Sequence, residues 1–279
     1  MIVPTLAVAL AVALGAPPAQ EPLPDPPAPP APLAAAVPWL PGERMEFVIE
    51  YLGLTMGKAA ISVGGATDGA APLEISSRSA GLMSVVTFRQ TLVSELDVVT
   101  LLPRSSVLDA AEPGGYKHTD TARFDRAAGT ATVREKGKYD NTYEFEVPEG
   151  TLDFVALIFR LRTLPLPDGA TTSFKVLAGR KVSTVVASVV KHELVKTDAG
   201  RFQAVKVRVP TGFDGKFSEK NPTYVWFSDD ARRVVVRIST DFAIGRAEAE
   251  LVRYQPGQPA QPGVEATATP APAPGPASP

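Results

Sequence analysis

The segment GERMEFVIEYLGLTMGKAAISV (residues 42–63) contains two apolar stretches separated by a short glycine-containing connection. In the first stretch, Phe47, Ile49 and Tyr51 fall on one face and Glu46 and Glu50 on the other, which is the two-residue period of a strand with one buried face. The second stretch, GKAAISVGG, has the composition of a partner strand. Residues 53–57 are therefore predicted to connect a β-hairpin, and the segment favours antiparallel β structure.

The same connection has a superficial likeness to a nucleotide-binding loop. A phosphate-binding loop has four residues between its glycines, then Lys, then a Ser or Thr for magnesium, and it leads into a helix. Here three residues separate Gly53 from Gly57, Lys58 is followed by Ala59, and the next segment has a strand pattern. The sequence therefore predicts no nucleotide binding.

Beyond this hairpin the chain continues as short runs rich in Val, Thr, Ile, Phe and Tyr, with turn residues at intervals of about ten residues. One helix is predicted at about 151–163, in TLDFVALIFRLRTLP, with Thr151 as its N-cap. It is apolar on nearly all sides and should be buried. The predicted fold class is mainly β: an antiparallel, strongly curved sheet or partly open β-barrel of roughly a dozen strands, with one buried or covering helix.

Composition divides the chain into four segments. Residues 1–16, MIVPTLAVALAVALGA, have the length and small-residue end of a secretory signal peptide and are too short to span a bilayer comfortably. Residues 17–41 are predicted as a Pro/Ala-rich linker, residues 42–254 as a single β-rich domain, and residues 255–279 as a disordered Pro/Ala-rich tail. We therefore expect a periplasmic or otherwise exported protein with no transmembrane anchor after removal of the signal.

Charge and cysteine content exclude several classes. The chain has 28 Lys and Arg against 30 Asp and Glu, and it contains no basic run, so nucleic-acid binding is not expected. It has no cysteine, which excludes disulfides, thiolate catalysis and cysteine-based metal sites. There is also no H-E-x-x-H pattern, so neither a metal site nor a cofactor is predicted.

Several motifs occur in an order that resembles a known family. They are GERMEFVIEYLGLTMGKAAISV, VTLLPRSSVLDAAEPGGYKHTDTARFD, LDFVALIFRLRTLPLPDG, VKTDAGRFQAVKVRVP and TYVWFSDDARRVVVRIS. Together they resemble the exported bacterial proteins grouped as domain of unknown function 3108, across nearly all of residues 42–254. The resemblance implies a β-rich domain in the periplasm or at the cell surface, and it leaves the biochemical role open.

No catalytic residue is predicted. The chain lacks a G-x-S-x-G nucleophile motif. His192 and Glu193 are neighbours in a strand pattern and point to opposite faces. A hydrolase acting on an envelope polymer remains the alternative, with Asp229, Asp230 and His118 as its conceivable acids and bases. The two aspartates lie in SDDARR, which is also a typical turn between strands.

Aromatic and apolar residues give the leading functional hypothesis. Tyr224 and Trp226 share one face of their strand, and although packing is the commoner role of such residues, a curved sheet around an apolar helix can leave a cavity. Phe159 lies on that helix, and Leu82 and Met83 lie in SAGLMSVVTFRQ, which could form an apolar loop at the mouth of a cavity. We therefore predict a non-enzymatic envelope protein that binds an amphipathic, lipid-like component or acts as a scaffold, with no protein partner identified.

Overall fold

A computed structural model describes residues 37–85, 88–210, 222–241 and 245–259. Within these ranges the chain forms one antiparallel sheet of 14 strands, one α-helix and one short 3₁₀-helix, so the predicted mainly β fold is confirmed. The predicted signal peptide, most of the predicted linker and most of the predicted tail lie outside the described residues.

The elements follow one another mostly as hairpins. The strands and helices are β1 (Arg44–Tyr51), β2 (Leu54–Val63), β3 (Ala70–Ser79), the 3₁₀-helix (Gly81–Val85), β4 (Arg89–Asp97), β5 (Pro103–Ala111), β6 (Lys117–Asp125), β7 (Thr130–Lys136), β8 (Asp140–Glu146), α1 (Phe154–Arg162), β9 (Thr171–Ala178), β10 (Lys181–Thr197), β11 (Gly200–Val209), β12 (Thr223–Ser228), β13 (Val235–Asp241) and β14 (Arg246–Gln255).

The sheet is curled but not closed. Its strand order is β8-β7-β6-β5-β4-β3-β2-β1-β14-β13-β12-β11-β10-β9, so β1 pairs with β14 and the two described edges are β8 and β9. No ladder joins these edges; instead Leu177 of β9 packs in a small apolar cluster with Phe124 and Val133, which come from the opposite side of the sheet. Arg180 also lies 3.4 Å from Glu135. The structure thus has the partly open barrel form that the sequence predicted.

The predicted β1–β2 hairpin is confirmed, but its connection is shorter than the predicted 53–57, because residues 54–57 belong to β2. Leu52 and Gly53 form its two-residue turn with φ of 52° and 75°, the positive values that such turns require. Lys58, the apparent phosphate-loop lysine, lies within β2 opposite Val48. A methyl group at Gly57 would meet the Arg78 carbonyl oxygen at 2.8 Å. This glycine therefore permits close approach of β3, which explains its place in the sequence without a bound phosphate.

Helix α1 is shorter than predicted. Leu152 forms a β-bridge with Val176, so the chain stays extended up to Asp153, and Asp153 rather than Thr151 is the N-cap. The Asp153 carboxylate accepts from the Ala156 backbone N–H at 2.8 Å and from the Ser94 hydroxyl at 2.6 Å. Burial raises the pKa of Asp153, and these hydrogen bonds oppose that rise. The Thr151 hydroxyl donates instead to the Pro148 carbonyl.

The C-terminal end of α1 is sealed by a buried ion pair. Arg162 donates to both carboxylate oxygens of Glu43, at 2.8 and 2.9 Å, and both side chains are almost fully buried. The rings of Trp39 and Phe159 meet edge to face with centroids 4.9 Å apart, and the Arg162 guanidinium lies within about 5 Å of both centroids. Trp39 belongs to the predicted linker, yet it is only 6% exposed. The structure therefore corrects the linker prediction at its C-terminal end, because this indole is part of the core.

Candidate functional site

An apolar cavity lies between α1 and the concave face of the sheet. Its volume is about 130 Å³. Phe154 and Ile158 of α1 form one wall, and strands β1 to β4 and β11 to β14 form the rest. The sheet residues that line it are Ile49, Ala59, Ile61, Ile75, Ser77, Gln90, Leu92, Val209, Thr223, Val225, Ile238, Ser239, Thr240, Ala247, Glu248 and Ala249.

Small side chains opposite the helix explain why space remains. Ala59, Ala247 and Ala249 occupy lining positions where larger residues would fill the volume. Among the polar lining residues, Thr223 and Thr240 hydrogen-bond to each other at 2.8 Å, so their hydroxyls partner each other. The buried Ser239 hydroxyl has no partner among the described residues, but most of the lining surface is apolar, so the cavity is suited mainly to apolar groups.

The cavity lies toward one end of the sheet. In register, Ile49 stands opposite Gly57 and the strand pair β1–β2 then ends at the Leu52–Gly53 turn. Several lining residues, including Ile75 and Leu92, are only half-buried, so the concave face is incompletely covered here. Because Arg162 seals the other end of α1, access from solvent is expected at the end that carries the β1–β2 turn.

Exposed apolar side chains surround this end. Leu52 and Leu54 belong to the β1–β2 hairpin, and Leu82 and Val85 belong to the 3₁₀-helix between β3 and β4. Leu82 is 64% exposed and Val85 is 89% exposed. We refer to these four residues as the apolar rim. The 3₁₀-helix packs beside β2, so both segments of the apolar rim lie at the same end of the sheet.

The predicted ligand residues occupy three different environments. Phe159 is fully buried and packs against Trp39, away from the cavity lining. Tyr224 and Trp226 share one face of β12, as predicted, but it is the outer face, since the alternate residues Thr223 and Val225 line the cavity. The ammonium of Lys206 lies 4.0 Å from the Tyr224 ring centroid and 4.8 Å from that of Trp226.

Leu82 and Met83, which were predicted to lie in an apolar loop at the mouth of a cavity, are part of the 3₁₀-helix. Leu82 belongs to the apolar rim and Met83 is half-buried beside it. The alanines that create the cavity were missed from the sequence. Their signal was available in AEAEL at 247–251, where small residues alternate with glutamates and so take the inward positions of β14.

The residues of the hydrolase alternative do not converge. His118 lies on β6, where its Nε2 is 3.8 Å from Asp120 and its ring stacks on Tyr116. Asp229 forms an ion pair with Arg233 at 2.8 Å, in the turn between β12 and β13. His118 therefore has no contact with Asp229 among the described residues.

Asp230 also has a structural environment. Burial raises its pKa, but hydrogen bonds from Arg232 and Ser228 outweigh burial, and the pKa is lowered overall. A carboxyl group held ionised in this way is poorly suited to act as a general acid.

The structure instead brings His192 between two carboxylates. Its Nδ1 lies 2.7 Å from Asp168 and its Nε2 lies 3.7 Å from Asp229. All three side chains are at least one-third exposed, and no nucleophile accompanies them in these contacts. In the described part of the chain, no group of three His, Asp or Glu side chains is placed to hold a metal ion.

Comparison with known proteins identifies the family. The model of the family "Protein of unknown function (DUF3108)" matches residues 46–252. The chain belongs to this family. No curated protein matches the sequence. Across the described ranges, no helix has the length and apolar character needed to cross a membrane.

Solved structures support the fold of this DUF3108 protein. The beta-barrel-like DUF1849 protein of Brucella abortus is similar at 14% identity and a TM-score of 0.53, covering 80% of this chain and 100% of that one. A "putative lipoprotein" from Parabacteroides distasonis matches at 11% identity and a TM-score of 0.32, covering 80% and 100%. A "putative exported protein" from Bacteroides fragilis matches at 11% and 0.29, covering 78% and 97%. The first of these supports a barrel-like sheet, and none of them assigns a function.

Proposed function

We propose that this protein is an exported, non-enzymatic carrier or sensor that binds the acyl part of an amphipathic envelope molecule in the cavity beside α1. The observation that supports it is the apolar cavity, which lies at the end of the sheet opposite the sealed Glu43–Arg162 pair. Insertion of an acyl chain would remove apolar surface from water on both partners, at roughly 25 cal/mol per Å².

The cavity volume limits what enters it. A dry cavity of about 150 Å³ lined by apolar side chains holds one benzene molecule. At about 130 Å³, this cavity therefore accommodates the end of an acyl chain rather than a whole lipid. The remainder of the ligand would extend past the apolar rim, with its polar head in water.

The position of the apolar rim also favours entry of the acyl chain at the end of the sheet that carries the β1–β2 turn. Exposed apolar patches at a groove are typical of binding sites, and Leu52, Leu54, Leu82 and Val85 together form such a patch. A scaffold function would require neither an internal cavity nor this arrangement. The residues named for the hydrolase alternative, Asp229, Asp230 and His118, do not converge, and the exposed contacts of His192 with Asp168 and Asp229 include no nucleophile, so the geometry favours the binding function.

Two neighbouring serines on β3 provide a matched test. Ser77 lines the cavity and also borders the outer groove, whereas Ser76 lines the outer groove and not the cavity. Ser77→Phe should fill the cavity, and Ser76→Phe should add the same volume outside it. Binding of laurate to delipidated protein, measured by isothermal titration calorimetry, should be lost in Ser77→Phe and retained in Ser76→Phe.

Urea denaturation of both variants shows whether each is folded. Equal laurate binding by the folded Ser77→Phe variant and the wild type would overturn the assignment of this cavity. Absence of laurate binding by the wild type, with lysophosphatidylethanolamine also failing to bind, would refute the proposed acyl-binding function itself.

A further inference from the structure

A row of three basic residues crosses the outer face of the sheet next to the apolar rim. Lys58 on β2 stands directly opposite Arg78 on β3, and Arg78 stands directly opposite Arg89 on β4. All three side chains are exposed, and none forms an ion pair with a described residue. We refer to them as the basic row.

This row is unfavourable for the isolated protein. Like charges directly opposite on neighbouring strands destabilise a sheet. Some arginines elsewhere have carboxylate partners: Arg237 lies between Glu248 and Glu250, and Arg246 pairs with Asp241. Other exposed cations in the described residues also lack an ion pair, and what distinguishes the basic row is that its three charges stand directly opposite one another on adjacent strands, which concentrates positive charge to attract an anion from outside.

The surroundings of the basic row do not neutralise it. It lines an outer groove of about 460 Å³ together with Arg44, Glu46 and Glu74. Glu46 is already held by Arg44, whose Nε lies 2.9 Å from Oε1. The groove thus has four basic and two acidic side chains, a net charge of +2.

The basic row and the apolar rim lie on the same elements. Lys58 is four residues from Leu54 along β2, at most about 13 Å because a bulge lies between them. Arg78 and Arg89 flank the connection that carries Leu82 and Val85. Apolar side chains at a tip with cations behind them are the arrangement by which peripheral proteins enter the acyl boundary, about 5–10 Å deep, while their cations remain among lipid phosphates.

We propose that this end of the sheet docks on the surface of an anionic phospholipid bilayer, with the apolar rim inserted and the basic row against the headgroups. This proposal rests on the proposed acyl-binding function, since docking would place the cavity end against the source of its ligand. Each Lys or Arg near an anionic surface contributes about 1 kcal/mol, so loss of three should weaken binding roughly 100-fold.

The test is co-sedimentation of the mature, full chain with vesicles. Vesicles of phosphatidylcholine alone are compared with vesicles of equal parts phosphatidylcholine and phosphatidylglycerol. The triple variant Lys58→Gln/Arg78→Gln/Arg89→Gln removes the basic row. A control variant, Lys181→Gln/Lys196→Gln/Arg201→Gln, removes the same charge from exposed positions on β10 and β11.

We expect the wild type and the control to bind the anionic vesicles and the basic-row variant to bind roughly 100-fold more weakly. Leu82→Ser/Val85→Ser should also lose binding, and added salt should weaken wild-type binding. Equal loss in both triple variants would attribute binding to net charge alone and overturn the docking surface. No binding by the wild type, or equal binding to both vesicle types, would also overturn it.

Two further measurements separate this proposal from the acyl-binding function. The basic-row variant should bind laurate as the wild type does, and its thermal midpoint should be unchanged or raised because repulsion has been removed. Ser77→Phe, which fills the cavity, should still sediment with anionic vesicles. Failure of the wild type to bind laurate, together with intact sedimentation of the wild type, would contradict the carrier function while leaving the docking surface in place.

Discussion

Replacing Arg162 with Met should cost about 3–5 kcal/mol of unfolding free energy. Arg162 makes four hydrogen bonds: two to the Glu43 carboxylate and one each to the backbone carbonyls of Arg232 and Arg233. Met has similar bulk and no donor, so Glu43 would remain buried without its cation. Since domains unfold at 5–15 kcal/mol, this loss would be a third or more of a typical total.

Urea denaturation at neutral pH, monitored by tryptophan fluorescence, measures the loss. The control is Arg134→Met, because Arg134 pairs with Asp140 in a bidentate but exposed contact, and solvent screening leaves such a pair little effect on stability. A second variant, Glu43→Met/Arg162→Met, leaves no unpaired charge and should recover at least about 1 kcal/mol relative to Arg162→Met alone. If Arg162→Met falls within the range of the control, the ion pair does not seal this end of the core.

Four other predictions follow from particular contacts. A truncated chain that begins at residue 42 lacks the buried Trp39 indole and should lose about 3–5 kcal/mol relative to one that begins at residue 37, measured by urea unfolding; equal midpoints would show that Trp39 is dispensable. Phe159→Ala should lose a similar amount whether or not laurate is present, because Phe159 packs on Trp39 outside the cavity, and a loss seen only with laurate would contradict this. Lys58→Ala should change the unfolding free energy by less than about 0.5 kcal/mol. Calorimetry should detect no magnesium-dependent ATP binding by the wild type, and such binding would refute the hairpin explanation of the glycine motif. Hydrogen bonds from the Thr100 backbone and from Arg104 lower the pKa of Asp97 to about 2, although burial opposes this. The ionised carboxylate should therefore contribute its full stabilisation above the ordinary pKa of an aspartate and lose it as the pH falls toward 2. The difference in unfolding free energy between the wild type and Asp97→Asn should shrink over that pH range, and a difference that stays constant would contradict this.

Local patterns were enough to predict the sheet and its single helix. Alternation in β1 and the short glycine turn specify the first hairpin, because strand period and turn chemistry act within a few residues. The N-cap was misplaced by two residues, since Thr151 and Asp153 are both good caps. The deciding contact is the bridge between Leu152 and Val176, which sequence alone does not reveal.

The candidate site was harder to predict because its contacts are distant in sequence. Glu43 and Arg162 are 119 residues apart, and neither has a local motif that names its partner. Alternation placed Tyr224 and Trp226 on one face of β12, but it could not say that this face is the outer one. Trp39 was missed because proline-rich composition predicts an extended chain and is silent about a single aromatic residue at its end.

The unpaired edges of the sheet have a mechanical consequence. In a closed barrel, strand number and shear fix the circumference, because every ladder must stay paired. Here no ladder joins β8 and β9 among the described residues; side chains such as Leu177 and Arg180 make the contacts across this seam, and β9 is bridged instead to Leu152 just before α1. The circumference of this sheet is therefore set at the seam by side-chain packing and by the segment that leads into the helix, and not by a continuous ring of strand pairings.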